Sequence, residues 1–404
     1  MFSFPHSPFA LGRRMRQSGS VALLSGGVLG MLIGCGGGTT HGAHSNIPPS
    51  GVNAVDLPVT PVDDQGKIGF CWAHGTIGLI ESTYKTRTGG DLNLSEEALG
   101  FYRLAERITS LIQSSATAAD LIDNFTRGVS EGFYTRLPDE KRVGGELDAL
   151  DLVKKYGLVP ESAWNVSFPD AQARQSLMNA IRTNVYALSD GRNRSSITVE
   201  EVIEKVLVGE GAFPSRPPSR FLWEGQEISA TAFLTDVVKF DTDAFAAVEA
   251  ASESELESFA TVMKSALAQG YSVPFGYSIN VDRLSGMTFG AADVSLDNPV
   301  AFAADGGHIV LVTDFVNEGG VAGAIPADEL AAEVAKPFSA LAYLRVKNSW
   351  GVGEKLDSSG KVLSNSPDGY YHITHDYLVG SARAASKGWM PLIAVVPRSL
   401  LRTP

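Results

Sequence analysis

Polar and apolar positions alternate with two different periods along this chain, and the change of period divides it. Ala73, Ile77, Ile80 and Tyr84 recur at three- and four-residue spacing, which predicts a helix with one buried face that the Gly89-Gly90 pair ends. Ser95 stands where it can cap the next helix, running through Arg103 and Ile108. Gly144-Gly145-Glu146 opens a third amphipathic stretch with Leu147, Leu150, Leu152, Val153 and Tyr156, before Gly157 and Pro160. Thr198-Val199-Glu200-Glu201 is a capping box ahead of Val202, Val206 and Leu207. A further helix is expected from Glu253 to Leu267, so residues 165–270 read as mostly helical, broken at Pro214–Pro218.

Beyond that point the pattern becomes extended. Val273–Ile279 is a short apolar strand, and Gly306-Gly307-His308 turns into a buried strand through Val312. Tyr343–Val346 leads to Asn348-Ser349-Trp350-Gly351, and Asp368-Gly369 turns into Tyr370–Ile373. Between them, residues 317–340 form an excursion with a helix at Ala327–Ala335. Helices first and strands after predict an α+β fold, with no internal repeat.

The first 54 residues do not join this pattern. Arg13, Arg14 and Arg16 precede a short apolar run, Val21–Ile33, that is interrupted by glycine and ends at Cys35. The run is short for a transmembrane helix. Leu32-Ile33-Gly34-Cys35 resembles the bacterial lipobox, so residues 1–35 are expected to be a lipoprotein signal peptide with Cys35 as the lipidation site. Residues 36–54 are rich in Gly, Ser, Thr and Pro and read as a flexible linker, with His41 and His44 solvated in it. The expected location is the bacterial cell envelope, with membrane contact only through the lipid.

Residues 55–404 remain as the globular domain. The whole chain is 44% hydrophobic and 19% charged, with a net charge of −12. That balance is ordinary for a globular protein and argues against nucleic acid as a partner. With Cys35 lipidated, Cys71 is left as a lone thiol. It sits where a glycine-punctuated loop, Asp64–Phe70, enters the first helix. Unpaired N–H groups and the helix dipole favour thiolate there, and thiolate is the nucleophile. Gln65, six residues upstream, is an amide donor within loop reach, and a nucleophile with an amide donor is half of an acyl-transfer site. A thiol hydrolase also needs a base and a group to orient it, which His308 at a strand mouth and Asn348 at a neighbouring strand end can supply.

The blocks Gln65…Cys71-Trp72, Gly307-His308 and Asn348-Ser349-Trp350-Gly351 resemble, in order, the signatures of papain-like cysteine peptidases. The resemblance implies a two-lobed fold: a helical lobe, a β-barrel-like lobe and an active-site cleft between. It implies Cys71 as nucleophile, His308 as base and acid, Asn348 as orienter and Gln65 as oxyanion donor. Trp350 would shield the His–Asn hydrogen bond, and Gly144 and Gly145 would line the substrate cleft. No cofactor or metal is implied; the partner is a peptide or protein substrate, and oligomeric state is left open. Pro217-Pro218, Phe221 and Trp223-Glu224 resemble a segment of the bleomycin hydrolase branch. Roughly 240 residues separate Cys71 from His308, against about 130–150 in the papain signature. A helical insertion over residues 165–270, as in that branch, accounts for the excess. Three features depart from the family. Ile68 and Arg142 stand at or near the places of a family disulfide, the C-terminal arm of bleomycin hydrolases is not recognisable, and bulky Phe70 adjoins the nucleophile.

Two other functions share these residues: a silent papain-like surface binding or scaffold lipoprotein, for which Phe70 would crowd the cleft, and a Cys-His amidase or acyltransferase acting on cell-wall peptides. His372 and His375 read as structural, and His74 as packed within its helix.

Overall fold

The computed structural model describes residues 55, 57–65, 70–121, 145–166, 171–279, 284, 286–290, 306–319, 325, 327–356 and 362–401, which all fall in one compact unit, Ile47–Pro404. Cys35, the signal and linker segments, and Gly144 lie outside them.

Helix α1 (Cys71–Thr88) begins at the cysteine and ends at Gly89, whose φ of 72° is the left-handed conformation that glycine tolerates best. Ala73, Ile77 and Ile80 are buried and Tyr84 is half-buried. Helix α2 (Glu96–Ser114) is capped by Ser95, whose side chain accepts from the Ala98 N–H at 3.2 Å. Helices α3 (Gly145–Tyr156) and α4 (Ala171–Ser189) follow. Thr198 makes the expected capping box with Glu201, but the short helix after it, Val199–Val202, widens into a π-turn at Ile203–Leu207. Helix-forming residues from these segments make one apolar core.

The stretch from 165 to 270 carries strands as well as helices. A hairpin pairs β1 (Arg220–Trp223) with β2 (Gln226–Ser229), and β3 (Phe245–Ala250) joins the main sheet. The remaining strands of that sheet are β4 (Val273–Ile279), β5 (Thr288–Phe289), β6 (Gly306–Asn317), β7 (Leu341–Lys347), β10 (Tyr370–Thr374) and β11 (Leu392–Pro397). A separate ribbon pairs β8 (Gly353–Leu356) with β9 (Val362–Ser366). The main sheet has seven strands in the order β3-β11-β4-β6-β7-β10-β5. Its pairs are antiparallel except β10 with β5. Its inner residues and the helix Leu256–Ala268 make the second core.

The expected β-barrel-like lobe is not formed. Among the described residues the sheet is open: β3 and β5 are its two edges, and each pairs on one side only. Closure requires the edge strands to meet at a tilt and stagger that suit the strand number. Here β5 is two residues long, and five strands lie between it and β3. Apolar alternation along a strand reports a buried face and carries no information on whether the edges join.

Phe70 settles where the unusual bulk before Cys71 goes. It is 3% exposed, meets Trp72 edge-on at 6.3 Å, and turns its ring onto Gly100 of α2. A methyl group on Gly100 would overlap the ring. The aromatic side chain is therefore part of the α1–α2 interface. We expect Gly100→Ala to lose about 1–3 kcal/mol of stability to overpacking, even though alanine gains helix propensity. Phe70→Leu combined with it should recover part of that loss, seen as a non-additive double-mutant cycle in urea unfolding.

Candidate active site

Helix α1 lies against β6 at two glycines. A Cβ on Gly75 would come within 2.8 Å of Ile309 Cγ2, and one on Gly78 within 2.8 Å of Leu311 Cδ2. Side chains at these positions would force helix and strand apart. Helix residues 75 and 78 thus face strand residues 309 and 311, and one turn back along α1, towards Cys71, corresponds to the start of β6, where His308 lies. Tyr277 on β4 ties the two together. It pairs in register with His308 and meets its ring edge-on at 6.0 Å. Burial raises the Tyr277 phenol pKa well above its ordinary value, and the Cys71 charge adds to that rise.

His308 is 5% exposed and Asn348 fully buried. Strands β6 and β7 run antiparallel with Leu311 opposite Lys347, so Asn348, just past β7, faces back towards His308. The imidazole Nε2 and Asn348 Oδ1 are 2.9 Å apart. The amide oxygen is an acceptor, so Nε2 carries the proton in this pair. Trp350 stacks on the imidazole with ring centres 4.9 Å apart, and Tyr371 meets Trp350 edge-on. The stack lies on the ring that bonds Asn348.

Gln65 comes to the same place from the other side. Its N–H donates to Ser349 O at 2.8 Å, and Ser349 Oγ donates to Gln65 Oε1. With its carbonyl end engaged in this way, Nε2 is the donor end of the amide. Asp64 and Trp350 form a β-bridge beside this pair. Contacts thus link His308 to Asn348 and Trp350, and the Asp64–Gln65 loop to Ser349 and Trp350, while Cys71 begins α1. Gly145 opens α3.

Burial is the dominant influence on His308 and lowers its pKa to about 4; the Asn348 hydrogen bond opposes this and the charge on His74 assists it. His372, on β10 against Tyr343 at 4.4 Å, is also lowered to about 4, by burial and then Arg345. His375 is not on that strand: it starts the helix His375–Ala385 and bonds Asp376.

Sequence reading missed a charged group behind α1. His74 Nδ1 lies 3.2 Å from Glu96 Oε1. Burial works against a charge on His74, but Glu96, Asp63 and Glu97 outweigh it and raise its pKa. Burial likewise opposes charge on Glu96, and His74 overcomes it, lowering the carboxyl. Glu81 accepts from Thr60 Oγ1 at 2.6 Å and from the Leu94 N–H at 2.8 Å. Burial, with Glu96 beside it, pushes Glu81 up to about 8. Position 74 lies off the apolar stripe of α1, and a carboxylate partner 22 positions away is visible only in three dimensions.

Residues 48–100 match the family model described as papain family cysteine protease. Cathepsin K of Gallus gallus is 51% identical over 41 residues, 10% of this chain and 12% of that protein. The cysteine endopeptidase RepA of Oryza sativa subsp. japonica is 36% identical over 92 residues, 21% of this chain and 23% of that protein. The matches therefore span less than a quarter of these curated relatives. Among solved structures, the Carica candamarcensis cysteine protease CMS1MS2 in complex with E-64 aligns with a TM-score of 0.35 at 15% identity. That alignment covers 84% of this chain and 92% of the other. The segment around Cys71 is thus similar to papain-like cysteine proteases.

The two buried histidines have a consequence for stability. Unfolded, each binds a proton near pH 6.5; folded, neither does until about pH 4. Between these values the unfolded state holds more protons, so stability falls as pH falls. At about 1.4 kcal/mol per pH unit, each contributes up to roughly 3 kcal/mol across the window. Thermal melting from pH 7 to 4 should show this decline, and His372→Gln should flatten it.

Proposed function

We propose that this protein is a cysteine-type peptidase that hydrolyses peptide bonds through Cys71, His308 and Asn348. The observation that carries the reading is the buried His308–Asn348 hydrogen bond under Trp350, on strands packed against the helix that begins at Cys71. In this mechanism His308 takes the Cys71 proton, and the thiolate sulfur attacks the substrate carbonyl carbon. Gln65 Nε2 and the Cys71 N–H hold the oxygen that becomes negative. The imidazolium then gives its proton to the leaving amine, releasing one product and leaving a thioester. Water, deprotonated by His308, hydrolyses the thioester and restores the thiol. Asn348 acts by holding the ring in the tautomer and orientation that face the sulfur.

The substrate is a peptide or protein, and the chain is a lipoprotein of the bacterial cell envelope, anchored at Cys35 and related to the bleomycin hydrolase branch. The Leu32–Cys35 motif supports the anchor, and the Pro217–Glu224 block supports the branch. The binding-protein alternative loses its main support, because Phe70 packs on Gly100 in the core.

Fluorogenic peptides with free and with blocked N-termini, under reducing conditions, test the reading. Turnover should vanish in Cys71→Ala. It should fall about 10²–10³-fold in Gln65→Ala and roughly 10²-fold or more in Asn348→Ala as the base loses its orienter. Cleavage of blocked peptides marks an endopeptidase, and cleavage of free-amine peptides alone an aminopeptidase. Labelling of Cys71 by a thiol-directed epoxide without turnover of either set would count against a peptidase.

A further inference from the structure

Behind α1, on the cavity lined by Asp63, His74, Glu81, Glu96 and Lys347, three side chains from three chain segments converge. Asp63 comes from the loop before Cys71, His74 from the first turn of α1, and Glu96 from the first turn of α2. One donor atom from each lies within 4.8 Å of the others. We propose that Asp63, His74 and Glu96 bind a divalent cation of the zinc class, at a site separate from the Cys71–His308 pair.

The donor chemistry selects the ion. One imidazole nitrogen with two carboxylates suits zinc and its neighbours; calcium and magnesium favour all-oxygen sets. Two carboxylates and a neutral imidazole balance a charge of +2. Tetrahedral zinc bonds of about 2.0–2.2 Å set neighbouring donors roughly 3.3–3.6 Å apart, so a pair at the 4.8 Å limit has to close by about an ångström. Asp63, half-buried on the rim, can provide that movement. The His74 Nδ1–Glu96 Oε1 separation of 3.2 Å already fits two ligands of one ion. Glu81 is held by Thr60 and the Leu94 N–H, and Lys347 Nζ donates to Thr60 Oγ1 at 3.0 Å. These two wall residues are therefore engaged elsewhere, and water completes the coordination. Glu97 and Glu161 are the other charged groups whose fields reach the site. The ion would clamp the Gln65 loop, α1 and α2 together, within three residues of Cys71.

The test uses the full chain carrying Cys71→Ala, without a polyhistidine tag, so that the reactive thiol cannot serve as a ligand. After stripping with chelator, zinc binding is measured by equilibrium dialysis with elemental analysis, and melting temperature is followed in parallel. The expected result is one zinc per chain and a raised melting temperature. Glu96→Gln and Asp63→Asn should each weaken binding by about tenfold or more and remove the thermal shift. Asp63 lies at the rim, so its variant keeps the test valid if the Glu96 variant fails to fold. No zinc uptake by the parent, or uptake that both variants retain, overturns the proposal.

Discussion

The contact between α1 and β6 is the constraint on which the site depends. Two glycines, Gly75 and Gly78, let a helix backbone lie against Ile309 and Leu311 with no side chain between. An alanine at either place would push into a branched side chain on the strand. Close approach at that line fixes how far the helix start stands from the strand start, and those two ends bear the thiol and the imidazole. The placement of the proposed nucleophile and base is thus set by the packing of residues outside the proposed chemistry.

A second set of contacts locks the polar partners. The Gln65 loop is stitched to Ser349 by a backbone and a side-chain hydrogen bond, and Asp64 bridges Trp350. Gly351, with φ of 75°, turns the chain against Asp64. The proposed oxyanion donor and the proposed orienting amide are therefore held by one strip of chain, although 283 positions (348 − 65) separate them. Behind the helix, charges replace apolar packing: His74, Glu96, Glu81 and Lys347 surround a cavity where the rest of α1 meets carbon. Buried charge of this kind is costly unless paired, and its partners here come from three segments.

Much of this was legible in the chain because its signals are local. Gly89 stopping α1, Ser95 capping α2 and the Thr198–Glu201 box all act within a few residues, and each stands where expected. The ordered blocks around Cys71, His308 and Asn348 were legible for a different reason, since they resemble a known constellation. What could not be read was non-local. Openness of the sheet depends on how β3 and β5 are placed, and the His74–Glu96 pair on how α1 meets α2. The hairpin at Arg220–Ser229 lay in a stretch whose flanking apolar periodicity favoured helix. Phe70 was misjudged for the same reason: its size is visible in sequence, but its direction is set by the notch at Gly100.

The position of β11 carries a consequence for synthesis. It follows every other described strand in the chain, yet it sits inside the sheet, between β3 and β4. While a ribosome is still making residues 392–397, β3 and β4 have no strand to join them, and the sheet behind the thiol stays incomplete. Pairings this distant along the chain are slow to form. A nascent chain therefore presents Cys71 long before the sheet beside α1 is complete, and the gap between β3 and β4 is filled only once residues 392–397 have emerged.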